Sequence, residues 1–396
     1  MRKTINEGDL AGLLALVFLT TVGDVAIAPL LPQLRDGLDL SGLQAAVALA
    51  STPFAGVVLS LPLALVADRL GARRLIAIAG AVLVISMLGQ ALAADFATFV
   101  AARLLFGVVF CIVWTAGPVV ILRSARPSSA MGGAISASGA GLLVGPALAG
   151  VTTELAGPGV ALGVIAALAA PLAVALVVRR TPDPAPVGAH AGLRETMSAA
   201  GRQREVLGAI LGIGLLGLAA GITNLAVPLS LSANGLTAGA IGIVMSAAAV
   251  VWVVAAALAG RLGDRRGGTR LVGIGAAVLG AVWLLPVGNL STATVGGFLL
   301  LSAACRAPLN TFIYVMARGG AERARISAAV VTGLLNVVYS IAAVAGPLAA
   351  GSLGRAADAR WSFALVATVG LLIGAALLID NRRRGTLGRV PAVASC

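Results

Sequence analysis

The chain has 396 residues, of which 59% are hydrophobic and 11% charged, and its mean hydropathy is +1.03. Soluble domains carry about 25% charged residues, and no water-soluble packing of this length hides so much apolar surface. Lipid is therefore the solvent for most of the chain. The formal charge of +13 then reads as arginine in short loops, not as a face for nucleic acid.

The N-terminal stretch MRKTINEGDL leads into an apolar run that continues past Pro32 without a small-residue cleavage site. It is expected to remain as a first span and not to be removed as a signal peptide. A spanning helix needs about 20 largely apolar residues. Such runs lie at 10–34, 42–66, 74–94, 97–122, 130–152 and 159–178, then at 206–231, 238–260, 270–288, 292–317, 326–350 and 360–380. Hydropathy thus predicts an all-α integral membrane protein of twelve spans, with strands excluded by the length of the runs.

Of the 28 Lys and Arg, 23 fall in the loops on the N-terminal side and only Arg35, Arg355 and Arg360 in the opposite loops. The positive-inside rule places both termini in the cytoplasm. Residues 179–205, RRTPDPAPVGAHAGLRETMSAAGRQRE, begin as a Pro-rich linker and form a central cytoplasmic loop. They separate a six-helix half, 1–178, from a second half, 206–396, with a short tail. Arginine and alanine usage points to a GC-rich bacterial genome and hence to a bacterial plasma (inner) membrane.

The two halves repeat each other. VADRLGARRL at 66–75 returns as LGDRRGGTRL at 262–271, with Asp68 and Asp264 196 apart; Pro32 and Pro228 share that offset. GPALAG at 145–150 returns as GPLAAG at 346–351, and Arg103 returns as Arg306. Matching places with slowly drifting offsets indicate an internal duplication, a common plan for transporters.

ADRLGARRL resembles the loop signature of the major facilitator superfamily, Gly-x-Leu-Ala-Asp-Arg-x-Gly-Arg-Lys, through Asp68, Arg69, Gly71 and Arg73. Ala64, Val66 and Ala72 depart from it. The second copy keeps Gly260, Leu262, Asp264, Arg265 and Gly267 but ends in Gly268 and Thr269. RLLFG, Arg103 to Gly107, is similar to the fourth-helix Arg-x-x-x-Gly motif. GLLVGPALAG, with Gly141, Gly145, Pro146 and Gly150, resembles the fifth-helix motif of the family's twelve-helix drug:proton antiporters; Ala149 stands where a second glycine is usual. The resemblance implies the major facilitator fold, two pseudo-symmetric six-helix halves about a central cavity lined by the first, fourth, seventh and tenth helices. It also implies a monomer, the family default.

Several residues invite both a functional and a plainer reading. Gly71 and Gly267 suit tight turns, while the resemblance gives Asp68, Arg69, Arg73, Asp264 and Arg265 the part of a cytoplasmic gate; arginines that only keep the loop inside would look the same. Asp24 lies well inside the first span, five residues before Pro29. A charge at mid-membrane costs at least about 2.5–3.5 kcal/mol, so it suits a group that alternates between proton and substrate; the plainer reading is a neutral structural acid. Its place in the second half, at the 196 offset, is Ala220.

Arg103 shares a helix face with Gly107, Phe110 and Trp114, and the resemblance assigns it proton coupling; a structural arginine capping carbonyls is the alternative. Arg306, Asn310 and Tyr314 form a polar stripe on the tenth span, with Asn224 and Asn336 on the seventh and eleventh as neighbours. These are candidates for a substrate cavity, although polar residues in membrane helices often only bond between helices. Gly141 and Gly145 allow close helix approach and Pro146 bends the helix, which is either a seal against proton leak or ordinary packing.

Cys111, Cys305 and Cys396 form neither a disulfide framework nor a metal cluster, and His190 is the sole histidine. No metal and no cofactor is expected, and the chain is not expected to be an enzyme; Lys3 is the sole lysine, so no Walker-type ATPase is built in. The expected activity is proton-coupled antiport, driven by the proton gradient, that exports a small lipophilic or amphipathic compound such as a drug or antibiotic. Uptake of a small metabolite by symport or facilitation is the alternative. One embedded acid tolerates a cation and two embedded arginines an anion, so substrate charge stays open. A receptor or scaffold on the same fold would need no intramembrane charges.

Overall fold

A computed structural model describes residues 7–121, 127–178, 203–266, 269–324, 328–353 and 360–387. Lipid offers no partner for a backbone N–H or C=O, so each segment closes its own hydrogen bonds as a helix. The first half holds α1 (Glu7–Gly37), α2 (Gly42–Leu70), α3 (Ala72–Ala91), α4 (Phe96–Ile121), α5 (Pro127–Ala156) and α6 (Pro158–Val178). The second holds α7 (Arg204–Ala233), α8 (Ala238–Arg266), α9 (Thr269–Val282), α10 (Thr292–Ala324), α11 (Ala328–Leu353) and α12 (Arg360–Leu387); a one-turn helix, Leu285–Gly288, completes the span of α9. Twelve helices among the described residues are long and apolar enough to cross a membrane, and all the described elements are helical.

Each expected span is met, but several helices run past it. α2 continues to Leu70 and α8 to Arg266, so Asp68, Arg69, Asp264 and Arg265 are helical and not looped. Hydropathy marks the hydrocarbon boundary, whereas a helix continues into the interface for as long as its charged side chains reach water. Arg204 and Glu205, placed by the sequence at the end of the central loop, already form the first turn of α7; residues 179–202 lie outside the described residues. Turns between helices are short. Gly71 starts α3 at φ 88°, and Gly157 separates α5 from α6 at the same value, a region that side-chain-bearing residues rarely adopt. Before α4, the Thr98 backbone N–H and hydroxyl donate to the Asp95 carboxylate and hold it below the usual carboxylate range.

Buried apolar side chains form two clusters, one drawn from α1–α6 and one from α7–α12 joined by Leu31, Ala45 and Ala46. Glycine sets the intimate contacts inside each half. A Cβ on Gly141 would stand 2.7 Å from Thr21 of α1, and one on Gly145 would stand 2.5 Å from Val25. Gly217 and Gly221 of α7 lie in the same way against Tyr339 and Pro347 of α11.

Between the halves, α5 packs on α8 and α2 on α11. These contacts gather at the face where α1 ends, here the far face. A Cβ on Gly150 would meet the Ala238 carbonyl of α8, and one on Gly351 would stand 2.6 Å from Ala46 of α2. The Ala147 N–H donates across to Ser246 Oγ at 3.0 Å. Glu154, at the end of α5, accepts from the Thr237 hydroxyl at 2.9 Å and from the Gly239 N–H at 3.1 Å, the first turn of α8. A carboxylate at a helix N-terminus is favoured by the exposed N–H groups there. Nearer the face where α1 begins, Gly132 of α5 and Gly333 of α11 look into open space. Among the described residues, the closest approaches between the halves thus lie toward the far face.

Candidate functional site

Asp24 sits 17 residues into α1, and Arg103 enters from α4 at a depth of seven residues from the far end of that helix. An Arg103 nitrogen stands 4.0 Å from a carboxylate oxygen of Asp24. The two side chains differ sharply in exposure, 2% for Arg103 and 34% for Asp24. Arg103 Nε donates to the Ala48 carbonyl at 3.5 Å, and its guanidinium lies 5.4 Å from the Phe106 ring centre. One terminal nitrogen, Nη1, is buried and has no hydrogen-bond partner among the described residues. Arg103 is thus buried within the first half, while the carboxylate it faces is partly exposed. The separation is long for a direct ionic hydrogen bond, so the carboxylate is held in a field and not clamped.

Of the other residues expected on the face of Arg103, Gly107 packs on Thr52 and Ala55 of α2. Phe110 is half-buried, and Trp114 is exposed with its ring 6.3 Å from that of Phe110. The aromatic partner of Arg103 is Phe106, three residues on, and not Phe110.

In the second half, Arg306 Nη1 donates to Thr223 Oγ1 of α7 at 3.3 Å, and Thr223 donates in turn to the Ala219 carbonyl at 2.7 Å. Asn224, beside Thr223, is exposed although most of α7 is buried, and Asn310 is half-buried one turn beyond Arg306. The Tyr314 hydroxyl donates to Asn336 of α11 at 3.3 Å. Tyr339 lies one turn further along α11, exposed at 37%, within electrostatic reach of both Arg306 and Asp24. The sequence reading passed over it because a tyrosine in an apolar helix carries no formal charge; its spacing of three from Asn336 was the available signal.

The family model described as Major Facilitator Superfamily matches residues 13–330 and again residues 209–392. The chain belongs to the major facilitator superfamily. It is a transporter and not an enzyme. None of the curated proteins matches it by sequence. Among solved structures, a bacterial homologue of the human lysosomal transporter Spinster, in an inward-facing and occupied conformation, aligns at 15% identity and a TM-score of 0.76, covering 94% of this chain and 96% of that one. The nucleoside transporter NupG aligns at 16% identity and a TM-score of 0.72, covering 94% and 98%. At such identities the likeness concerns the fold.

The motifs of this superfamily chain divide by location. In the fifth-helix motif, Gly141 and Gly145 serve the contact with α1, whereas Pro146 and Gly150 serve the contact with α8 of the other half. Of the gate residues, Arg73 pairs with Asp9 of α1 at 3.3 Å, inside its own half. Gly267 lies outside the described residues, as do the side chains of Asp68, Arg69, Asp264 and Arg265.

Proposed function

We propose that the chain is a proton-coupled secondary transporter that exports a small amphipathic compound by alternating access, with Asp24 as the proton carrier. The observation that carries this reading is the placement of Asp24: well inside the spans, among the described residues, it is the one carboxylate, it is partly exposed, and a buried guanidinium faces it. Such a carboxylate has two states of comparable use. Charged, it is held by Arg103 and attracts cationic or hydrogen-bonding groups; protonated, it no longer offsets the charge of Arg103. A switch of that kind acts on the contact between halves without moving any large element.

The near face is the cytoplasmic one on this reading, since the loops there carry the arginines. On this reading the space between the halves loads from the cytoplasm. Far-face release requires parting the contacts at Gly150, Gly351 and Glu154. Their near-face counterparts would be the ends of α2 and α8, where Asp68 and Asp264 of the family signature sit. The membrane is the bacterial plasma membrane, and the working unit is the monomer.

A second reading, uptake by symport or facilitation, is supported by the structural likeness to a nucleoside transporter. Inside-out vesicles with an acid interior and a pH-sensitive dye separate the two. Lipophilic cations, anions and neutral compounds are added in turn to wild type and to Asp24→Asn. Export coupled to protons predicts proton release by at least one compound in wild type and none in Asp24→Asn. Silence of the whole panel, together with accumulation of metabolites in right-side-out cells, would replace export by uptake.

A further inference from the structure

Three charged side chains stand well inside the described spans: Asp24, Arg103 and Arg306. Asp24 and Arg103 face each other and offset one another. Arg306 has no carboxylate within ion-pair distance among the described residues, and its hydrogen bond goes to a neutral hydroxyl. A guanidinium has five N–H donors, so most of its capacity is unspent. The 196 offset that places Asp24 in the first half places Ala220 in the second, so the second half has no acid at that position. An uncompensated cation in the middle of a membrane is costly and marks a pathway or a ligand.

Arg306 is also the accessible one of the two arginines. Arg103 is buried at 1% exposure, whereas Arg306 is half-buried beside the exposed Asn224 and Tyr339. We infer that Arg306 is the anchor of an anion subsite, so that the transported compound is an amphipathic organic anion whose carboxylate, sulfonate or phosphate docks on Arg306 beside Thr223 and Tyr339. A planar guanidinium receives such a group through two parallel hydrogen bonds. The exposed Trp114, with Phe110 beside it, offers apolar surface for the rest of the molecule. This inference rests on the space between the halves being the substrate site, but not on transport being driven by protons.

The test is thermal unfolding of the purified protein in non-ionic detergent, without any gradient, in the presence of four matched probes: naphthoate, naphthalenesulfonate, naphthamide and naphthylmethylammonium. Wild type should be stabilised by the two anions and not by the amide or the ammonium. Arg306→Gln should weaken half-saturation by the anions by about tenfold or more. Arg306→Lys, which keeps the charge but loses the fork, should fall between. Equal shifts from naphthamide and naphthoate, an unaltered response in Arg306→Gln, or no shift from any probe would overturn the assignment. The contrast among probes in wild type needs no variant to fold. Anion binding without proton release in vesicles would retain the subsite and discard the antiport.

Discussion

The two halves share one scaffold and differ in chemistry. Gly150 and Gly351 end the same six-residue phrase, and each lies against the first turns of the second helix of the opposite half, α8 or α2. Arg103 and Arg306 each stand inside the fourth helix of their half, seven residues into α4 and fourteen into α10. Yet the first half pairs its arginine with Asp24 and buries it, whereas the second leaves its arginine half-open on a threonine. The two halves thus match in their backbone contacts and differ in their charged positions. On this account the first half carries the proton and the second holds the substrate.

The comparison is sharpened first in the cores. Trp283 is fully buried, donates to Ser302 Oγ at 3.2 Å and packs on Phe298 and Phe363 with ring separations of 5.8 Å or less. Trp283→Ala should cost about 3–5 kcal/mol, read as a drop in the detergent unfolding midpoint. A neutral result would remove this cluster from the stability of the second half.

Equivalence of the closing contacts is tested next. Gly150→Leu and Gly351→Leu each force a side chain into the far-face seam, and overpacking of this kind costs about 1–3 kcal/mol. Both should lower the unfolding midpoint to a similar extent. A large loss at one and none at the other would break the symmetry argument.

The arginines should then part company. Arg103→Gln leaves Asp24 without its cation inside the spans. Breaking a buried pair costs about 3–5 kcal/mol, but the third of Asp24 that is exposed brings the expected loss nearer to about 2 kcal/mol. Arg306→Gln removes a cation that has no partner acid, so the ligand-free protein should lose little and could gain midpoint. Comparable losses at both positions would show that Arg306 is structural.

The smallest effect belongs to Glu154. Glu154→Gln weakens the carboxylate contact with the N-terminus of α8 by about 0.5 kcal/mol. In a background freed of native cysteines, a thiol introduced as Ser246→Cys should label faster with an impermeant maleimide once Glu154 is changed. Unchanged labelling would mean that Glu154 does not hold the far face shut.

Much of this was legible in the sequence, and what was not had a common cause. Spans announce themselves because lipid demands long apolar runs, and Asp24, Arg103 and Arg306 announce themselves because a charge there is anomalous. Helix ends were not legible, since hydropathy ends at the hydrocarbon while α2 and α8 run on to Leu70 and Arg266. Partner choice was not legible either: helical spacing offered Phe110 to Arg103 as readily as Phe106, and packing against α2 and α1 decided it. Glu154 escaped notice because a carboxylate at a span end costs nothing, so only its neighbour in space reveals its use. Tyr339 escaped for want of a charge.

The division of labour between the halves is open to one direct measurement. Proteoliposomes holding wild type or Asp24→Asn are loaded with labelled naphthoate, and equilibrium exchange is compared with movement driven by a pH gradient. The account predicts that Asp24→Asn retains exchange, because Arg306 still binds the anion, and loses the gradient-driven component. Loss of both, or retention of both, would contradict the assignment of the proton to the first half and the substrate to the second.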